Sequence, residues 1–134
     1  MWKLCSAMAL TGALLCAPPV RALETLATGT DVAATVAVHN VSLHNGVVTG
    51  TLVNKSHRLL HDVRLLIRHA WLWKSERAPR RDNPGRADFF TVPGEIPAGG
   101  SLTFTYRPHP PLPNRSDGHF ETTAEVVSYT EVGE

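Results

Sequence analysis

Histidines and arginines are the residues of this chain whose types and spacing could do chemistry. There are seven histidines. His57 and His61 stand four apart, the spacing that would put two imidazoles on one helix face and let them share a zinc or copper ion. The residues before them, Asn54, Lys55 and Ser56, favour turns, so this segment is predicted to be a loop and the helical geometry is missing. His57 and His61 therefore define only an alternative reading: a periplasmic carrier of metal or small ligands using surface histidines. The neighbouring pair His61 and Asp62 has the makings of an oriented imidazole. His69 shares strand parity with Trp71 and is predicted to be a hydrogen-bonded core residue. His39 and His44 flank a turn, and His109 and His119 lie in and just after a proline-rich segment. None has a cysteine beside it, and neither a metal nor any other cofactor is expected.

Nucleophilic catalysis finds no local constellation. The sequence contains no Gly-x-Ser-x-Gly elbow, no phosphate loop and no His-Glu-x-x-His. No serine or threonine stands beside a base in a way that would activate it. The reading is of a protein that is not an enzyme. The arginines are more suggestive. Lys74, Arg77, Arg80, Arg81 and Arg86 fall within residues 74–88, interspersed with Glu76, Asp82 and Asp88. Such a loop could dock on phosphate-bearing envelope polymers, lipid headgroups or an acidic partner surface. The interspersed acids dilute its field, and a plain solvated loop is the competing reading.

The start of the chain is built as a secretory signal peptide. Lys3 gives a short basic region, residues 4–17 an apolar core, and Val20 and Ala22 the small residues preceding a cut. The apolar run falls short of the ~20 residues of a membrane span. The expected organisation is a signal peptide at 1–22 and a single domain at 23–134. The product would be periplasmic or extracellular, without a stable membrane span. Both cysteines and both methionines lie in the first 22 residues, so the remainder has no disulfide, thiolate or thioether chemistry. Removing Lys3 and Arg21 from the 13 basic residues leaves 11 against 12 acidic ones. This balance argues against nucleic acid as a partner.

The elements that must position these residues read as strands. Residues 47–54 are rich in Val and Thr, which suit a pleated surface. From Val63, the residues Val63, Leu65, Ile67, His69, Trp71 and Trp73 share one parity. Arg64, Leu66, Arg68, Ala70, Leu72 and Lys74 share the other. Alternation sends the first set to a core and the second to a half-solvated face. Residues 32–39 alternate as a strand, with a kink at Asn40, and Asn45-Gly46 signals a hairpin into Val47. Residues 89–92, 101–107 and 119–132 read as further strands. Residues 23–31 are a polar lead-in with the option of a short edge strand. Residues 108–118, rich in proline, make an extended connection, since proline cannot donate to a ladder. Three glycosylation sequons, at Asn40, Asn54 and Asn114, are read as chance. Asn54 is better explained as a strand-end residue satisfying backbone groups.

About seven short antiparallel strands with no convincing helix make an all-β sandwich of immunoglobulin or fibronectin-III-like type. Trp71 or Trp73 is placed to act as its central core indole. The pattern Gly50-x-Leu52-Val53-Asn54-Lys55-Ser56, followed by Asp62-Val63-x-Leu65-x-Ile67, resembles bacterial extracytoplasmic domains of the FxLYD and fibronectin-III-like kind. Their later strand corresponds to residues 96–104, and the likeness covers roughly residues 47–106. His69-Ala70-Trp71 stands where the FxLYD signature would fall. The resemblance implies an accessory or interaction module with no active site. Taken together, a non-catalytic exported module of the cell envelope is expected. It would bind another envelope protein or an anionic envelope polymer through a sheet edge or the basic loop.

Overall fold

The computed structural model describes residues 23–29, 31–75 and 82–133. Its elements in chain order are β1 (Glu24–Thr28), α1 (Val32–Thr35), β2 (Val36–His44), β3 (Val47–Asn54), β4 (Leu60–Trp73), β5 (Arg86–Thr91), β6 (Glu95–Ile96), β7 (Ser101–Tyr106) and β8 (Gly118–Val132). The strands form two antiparallel sheets. One runs β1-β8-β4-β5, with β6 beside the start of β4, and the other runs β2-β3-β7. The chain is thus an all-β sandwich, as the strand pattern predicts. The expected signal peptide at 1–22 lies outside the described residues. Among the described residues no helix is long and apolar enough to cross a membrane.

The alternation expected along β4 is present. Val63, Leu65, Ile67, His69 and Trp71 are buried, and Arg64, Arg68, Ala70 and Leu72 are exposed. Facing them from the second sheet are Val48 and Leu52 of β3 and Phe104 of β7, all buried. Together with Val36, Leu60, Ile96, Val126 and Tyr129 they form one core. β4 begins at Leu60, three residues before the expected Val63. An irregularity between His61 and Arg64, with Asp62 at φ +50°, lets Leu60 and Val63 both point inward. A compensating extra residue in β8, between Val126 and Ser128, moves the inward parity from Val126 to Tyr129.

The β2–β3 hairpin closes on His44 opposite Val47. Asn45 and Gly46 take φ +50° and +74°, the two left-handed positions a type I′ turn requires. The kink expected at Asn40 is a bulge between His39 and Ser42, with Asn40 at φ +56°. It bends the outer strand and blunts that edge.

Three expectations need correction. The strand expected over 32–39 starts only at Val36, because Val32–Thr35 makes one helical turn. Val32 and Val36 are both buried, and a spacing of four fits a helical turn as well as a strand. The loop expected over 74–88 ends earlier, at β5, which begins with Arg86. Arg86, Asp88 and Phe90 are half-buried in alternation with exposed Ala87, Phe89 and Thr91, so two charged residues occupy inward positions and hid the strand. The turn expected after Pro93 contains the two-residue β6, paired with Leu60 and His61.

Asn54 joins the parts. It is fully buried at the end of β3. Its Nδ2 donates to the carbonyls of Arg58 (2.7 Å), Ile96 (3.0 Å) and Pro97 (3.1 Å). Its Oδ1 accepts from the N–H and Oγ of Ser56 at 2.9 and 2.7 Å. Two amide hydrogens serve three carbonyls, so one of them is shared. Removing the side chain strands buried acceptors on two separate connections. Asn54→Ala is expected to lower the unfolding free energy by roughly 2–4 kcal/mol, read from urea denaturation. A loss below about 0.5 kcal/mol, the size of an ordinary surface change, would show that Asn54 does not hold these connections.

Candidate functional site

At the end of the sandwich where β4 finishes and β8 begins, three connections converge: the β2–β3 turn, the β4–β5 connection and the proline-rich β7–β8 connection. An aromatic cluster supports them. The Trp71 ring lies 4.8 Å from that of Phe120, at 69° between planes, and 6.0 Å from that of Trp73, at 87°. His69 meets Phe120 edge-on at 6.3 Å. Register explains the grouping, because Trp71 pairs with Phe120 and Trp73 with Gly118 across β4 and β8. At Gly118 a Cβ would stand 2.7 Å from the Trp71 indole, so only glycine allows so close an approach. Trp71 is buried, but it packs with Phe120 and Trp73 at one end of the sandwich, outside the main core cluster, so the central core role expected of Trp71 or Trp73 is taken by neither.

Arg115 covers this cluster. Its guanidinium carbon stands 5.3 Å from the Trp71 ring centroid and 5.4 Å from that of Trp73, within cation–π range. Nε donates to Asp117 Oδ1 at 2.9 Å and Nη2 to Asp117 Oδ2. Nη1 donates to the Asp82 carbonyl at 2.8 Å and reaches Asp82 Oδ2 at 3.2 Å. The hydrogen bond from Arg115 holds the Asp117 carboxyl below its usual value. One guanidinium thus joins the β4–β5 connection to the β7–β8 connection over an indole surface. The Lys74 N–H adds a second link, to the Asp117 carbonyl at 2.9 Å.

Arg86 makes a third link. Nε and Nη2 donate to Asp88 Oδ2 at 3.0 and 2.9 Å, and Nη1 donates to the Pro110 carbonyl. Tyr106 of the opposite sheet donates its hydroxyl to the same Asp88 oxygen at 3.0 Å. Burial and the Asp88 carboxylate raise the Tyr106 pKa above its ordinary value. Between the β7–β8 connection and the β2–β3 hairpin lies a groove of about 490 Å3. Leu43, Leu112 and Phe120 supply apolar lining, and Asn45 and Asn114 polar lining.

Of the five cations expected in a docking loop, Lys74 is exposed at the loop's root. Arg77, Arg80 and Arg81 lie outside the described residues. Arg86 is corrected: it is a β5 residue whose guanidinium is committed to Asp88 and Pro110. Arg115 is the contributor that sequence reading missed. Its signal was available, since Arg115 and Asp117 are two apart in a segment without regular structure and close to the Gly118 that admits Trp71.

The histidines are dispersed. His57 is exposed in the β3–β4 link. His61 points elsewhere, with Nδ1 2.9 Å from Asp62 Oδ2 and Nε2 3.4 Å from Glu24 Oε1. Among the described residues no three His, Cys, Asp or Glu side chains gather as a metal would need. His69 is buried, with Nδ1 2.9 Å from Thr122 Oγ1. His69 Nε2 and Trp71 Nε1 are buried without a hydrogen-bond partner. No protein-family model, curated protein or solved structure matches this chain.

His61 and His69 titrate in opposite senses. The hydrogen bond to Asp62 raises the His61 pKa above its ordinary 6.5, against a smaller effect of burial, and Glu24 adds to the rise. Its contribution to stability is present below 6.5 and is lost as pH rises through the elevated folded value. Burial lowers the His69 pKa, with Asp88 opposing in part. Its contribution is present above 6.5 and is lost as pH falls toward the depressed folded value. In His61→Gln only the second effect remains. As pH falls from about 8 to 6.5, wild type should gain stability relative to that variant in denaturant titrations, and below 6.5 the two should fall nearly in parallel. No relative gain by wild type above pH 6.5 would contradict the pairing of His61 with Asp62 and Glu24.

Proposed function

We propose that this chain is a non-catalytic, exported binding or accessory module of the cell envelope. It engages its partner through the braced loop end, with the cations of the β4–β5 connection as the contact surface. The observation that carries the reading is the bracing. Arg115 to Asp82 and Lys74 to Asp117 fix the β4–β5 and β7–β8 connections to each other, and Arg86 ties the second of them to the start of β5. Fixing loops in advance reduces the ordering cost of binding.

The same contacts pair charges. Asp82 and Asp117 are answered by Arg115, and Asp88 by Arg86. Two arginines thus answer three carboxylates at the base of the loop, leaving one net negative charge there. In the sequence, Lys74, Arg77, Arg80 and Arg81 outnumber Glu76. This balance favours an anionic partner, either an envelope polymer or an acidic protein surface. The likeness to FxLYD and fibronectin-III-like modules agrees with such a role. Edge-strand addition to the β2-β3-β7 sheet is less favoured, because the bulge at Asn40 blunts β2 and Pro108 closes β7 after six residues; the other sheet has β1 and β5 as its edges.

The test is capture of envelope components by the purified chain, compared with a variant carrying Lys74→Ala, Arg77→Ala, Arg80→Ala and Arg81→Ala. Wild type should retain a polymer or protein at low salt and release it as salt rises, with tenfold or greater loss in the variant. Equal retention by the two proteins would contradict the assignment.

A further inference from the structure

The outer face of the β1-β8-β4-β5 sheet carries two charge stripes side by side. β4 presents Arg64 and Arg68 outward, and its neighbour β8 presents Glu121 and Glu125. Register interleaves them: Leu66 pairs with Glu125, Arg68 with Thr123 and Ala70 with Glu121. Among the described residues none of the four makes a salt bridge. Arg64 instead lies over the Phe89 ring of β5, 4.3 Å from its centroid. Apolar residues share this face, with Phe89 59% and Leu72 40% exposed.

We infer that this face binds a second copy of the same chain. The stripes are self-complementary under one two-fold axis, running parallel to the strands between β4 and β8 in the plane of contact. That operation lays β4 of each copy over β8 of the other. Levels along the strands are unchanged, so Arg68 lies opposite Thr123 of the second copy, between its Glu121 and Glu125, and the two stripes interleave. The same axis keeps each residue's level along the strands, so Phe89, level with Leu66, and Leu26, level with His61, remain apart, and the contact rests on β4 and β8. A two-fold axis across the strands would instead set β4 on β4 and arginine on arginine, so charge selects the first arrangement. Stacked sheets stand ~10 Å apart, a gap that an extended arginine and glutamate span together. β4 and β8 together offer a patch of roughly 10 by 30 Å, from ~4.8 Å strand spacing and ~3.4 Å rise per residue. Counted over both copies that is about 600 Å2, below the ~1,000 Å2 of a stable interface, so the dimer is expected to be weak, to form only at high concentration and to be sensitive to salt. This inference is independent of the loop end.

The experiment is sedimentation velocity on the purified chain from about 10 to 500 μM, with circular dichroism on every variant. Wild type should dimerise with rising concentration and dissociate in 0.5 M salt. Arg64→Glu with Arg68→Glu reverses one stripe, and Glu121→Arg with Glu125→Arg reverses the other. Each variant alone should be monomeric across the range. Their equimolar mixture should dimerise, because each reversed stripe then meets its complement. The milder Arg68→Ala should weaken wild-type dimerisation at least threefold if the reversed variants fold poorly. Monomeric wild type at 500 μM, dimerisation of either reversed variant alone, a monomeric mixture of folded variants, or no effect of Arg68→Ala would each overturn the inference.

Discussion

The buried amide of Asn54 is the constraint on which the arrangement of both sheets depends. β3 belongs to one sheet, and the Arg58 carbonyl lies in the link that carries the chain to β4 in the other. The Ile96 and Pro97 carbonyls belong to β6, on the β4 side, and to the turn that returns to β7 beside β3. One side chain thus fixes two crossings between the sheets. A main-chain hydrogen bond from Asn54 N–H to the Gly100 carbonyl, at 2.9 Å, secures the same corner. No disulfide is open to residues 23–134, which contain no cysteine. A satisfied buried amide supplies a specific cross-connection that apolar packing alone does not.

The opposite end is organised differently. Polar and charged groups there occupy inward positions that a uniform core would fill with aliphatic residues. Arg86 and Asp88 lie on the inner side of β5, and Tyr106 reaches them from β7. Partly buried ion pairs add little net stability, because desolvation offsets most of the attraction, but they impose geometry. In this molecule the geometry reaches the surface through the Pro110 carbonyl. Arg115 repeats the device outside the core, using indole faces beneath and carboxylates on either side. The proposed role follows from this contrast between a core corner held for folding and a loop end held in a defined shape.

Much of the fold was legible in the sequence because one periodicity governed it. Residues 63–73 alternate without interruption, and Asn45-Gly46 specifies its turn chemically. Asn54 could be read as a strand-end residue, although its partners at 96 and 97 could not. What the sequence concealed has particular causes. The helical turn at Val32–Thr35 shares its apolar spacing with a strand. β5 begins with charged residues turned inward, so its first half resembles the loop before it. The parity change in β8 originates in a bulge shared with β4, a property of the pair that neither segment displays alone. The loop cations were found by composition. Arg115 was overlooked because its role depends on Trp71, Trp73 and Asp82 meeting it in space.

The central claim is that the loop end is held in its shape before any partner arrives. Backbone 15N relaxation of the free chain tests this most directly, at residues 82–85 and 107–117, which lie outside regular strands. The account predicts order parameters near ~0.85, matching those of the strands. Values below ~0.6 over these segments, with the strands themselves rigid, would show that Arg86 and Arg115 do not brace the connections and would contradict the account.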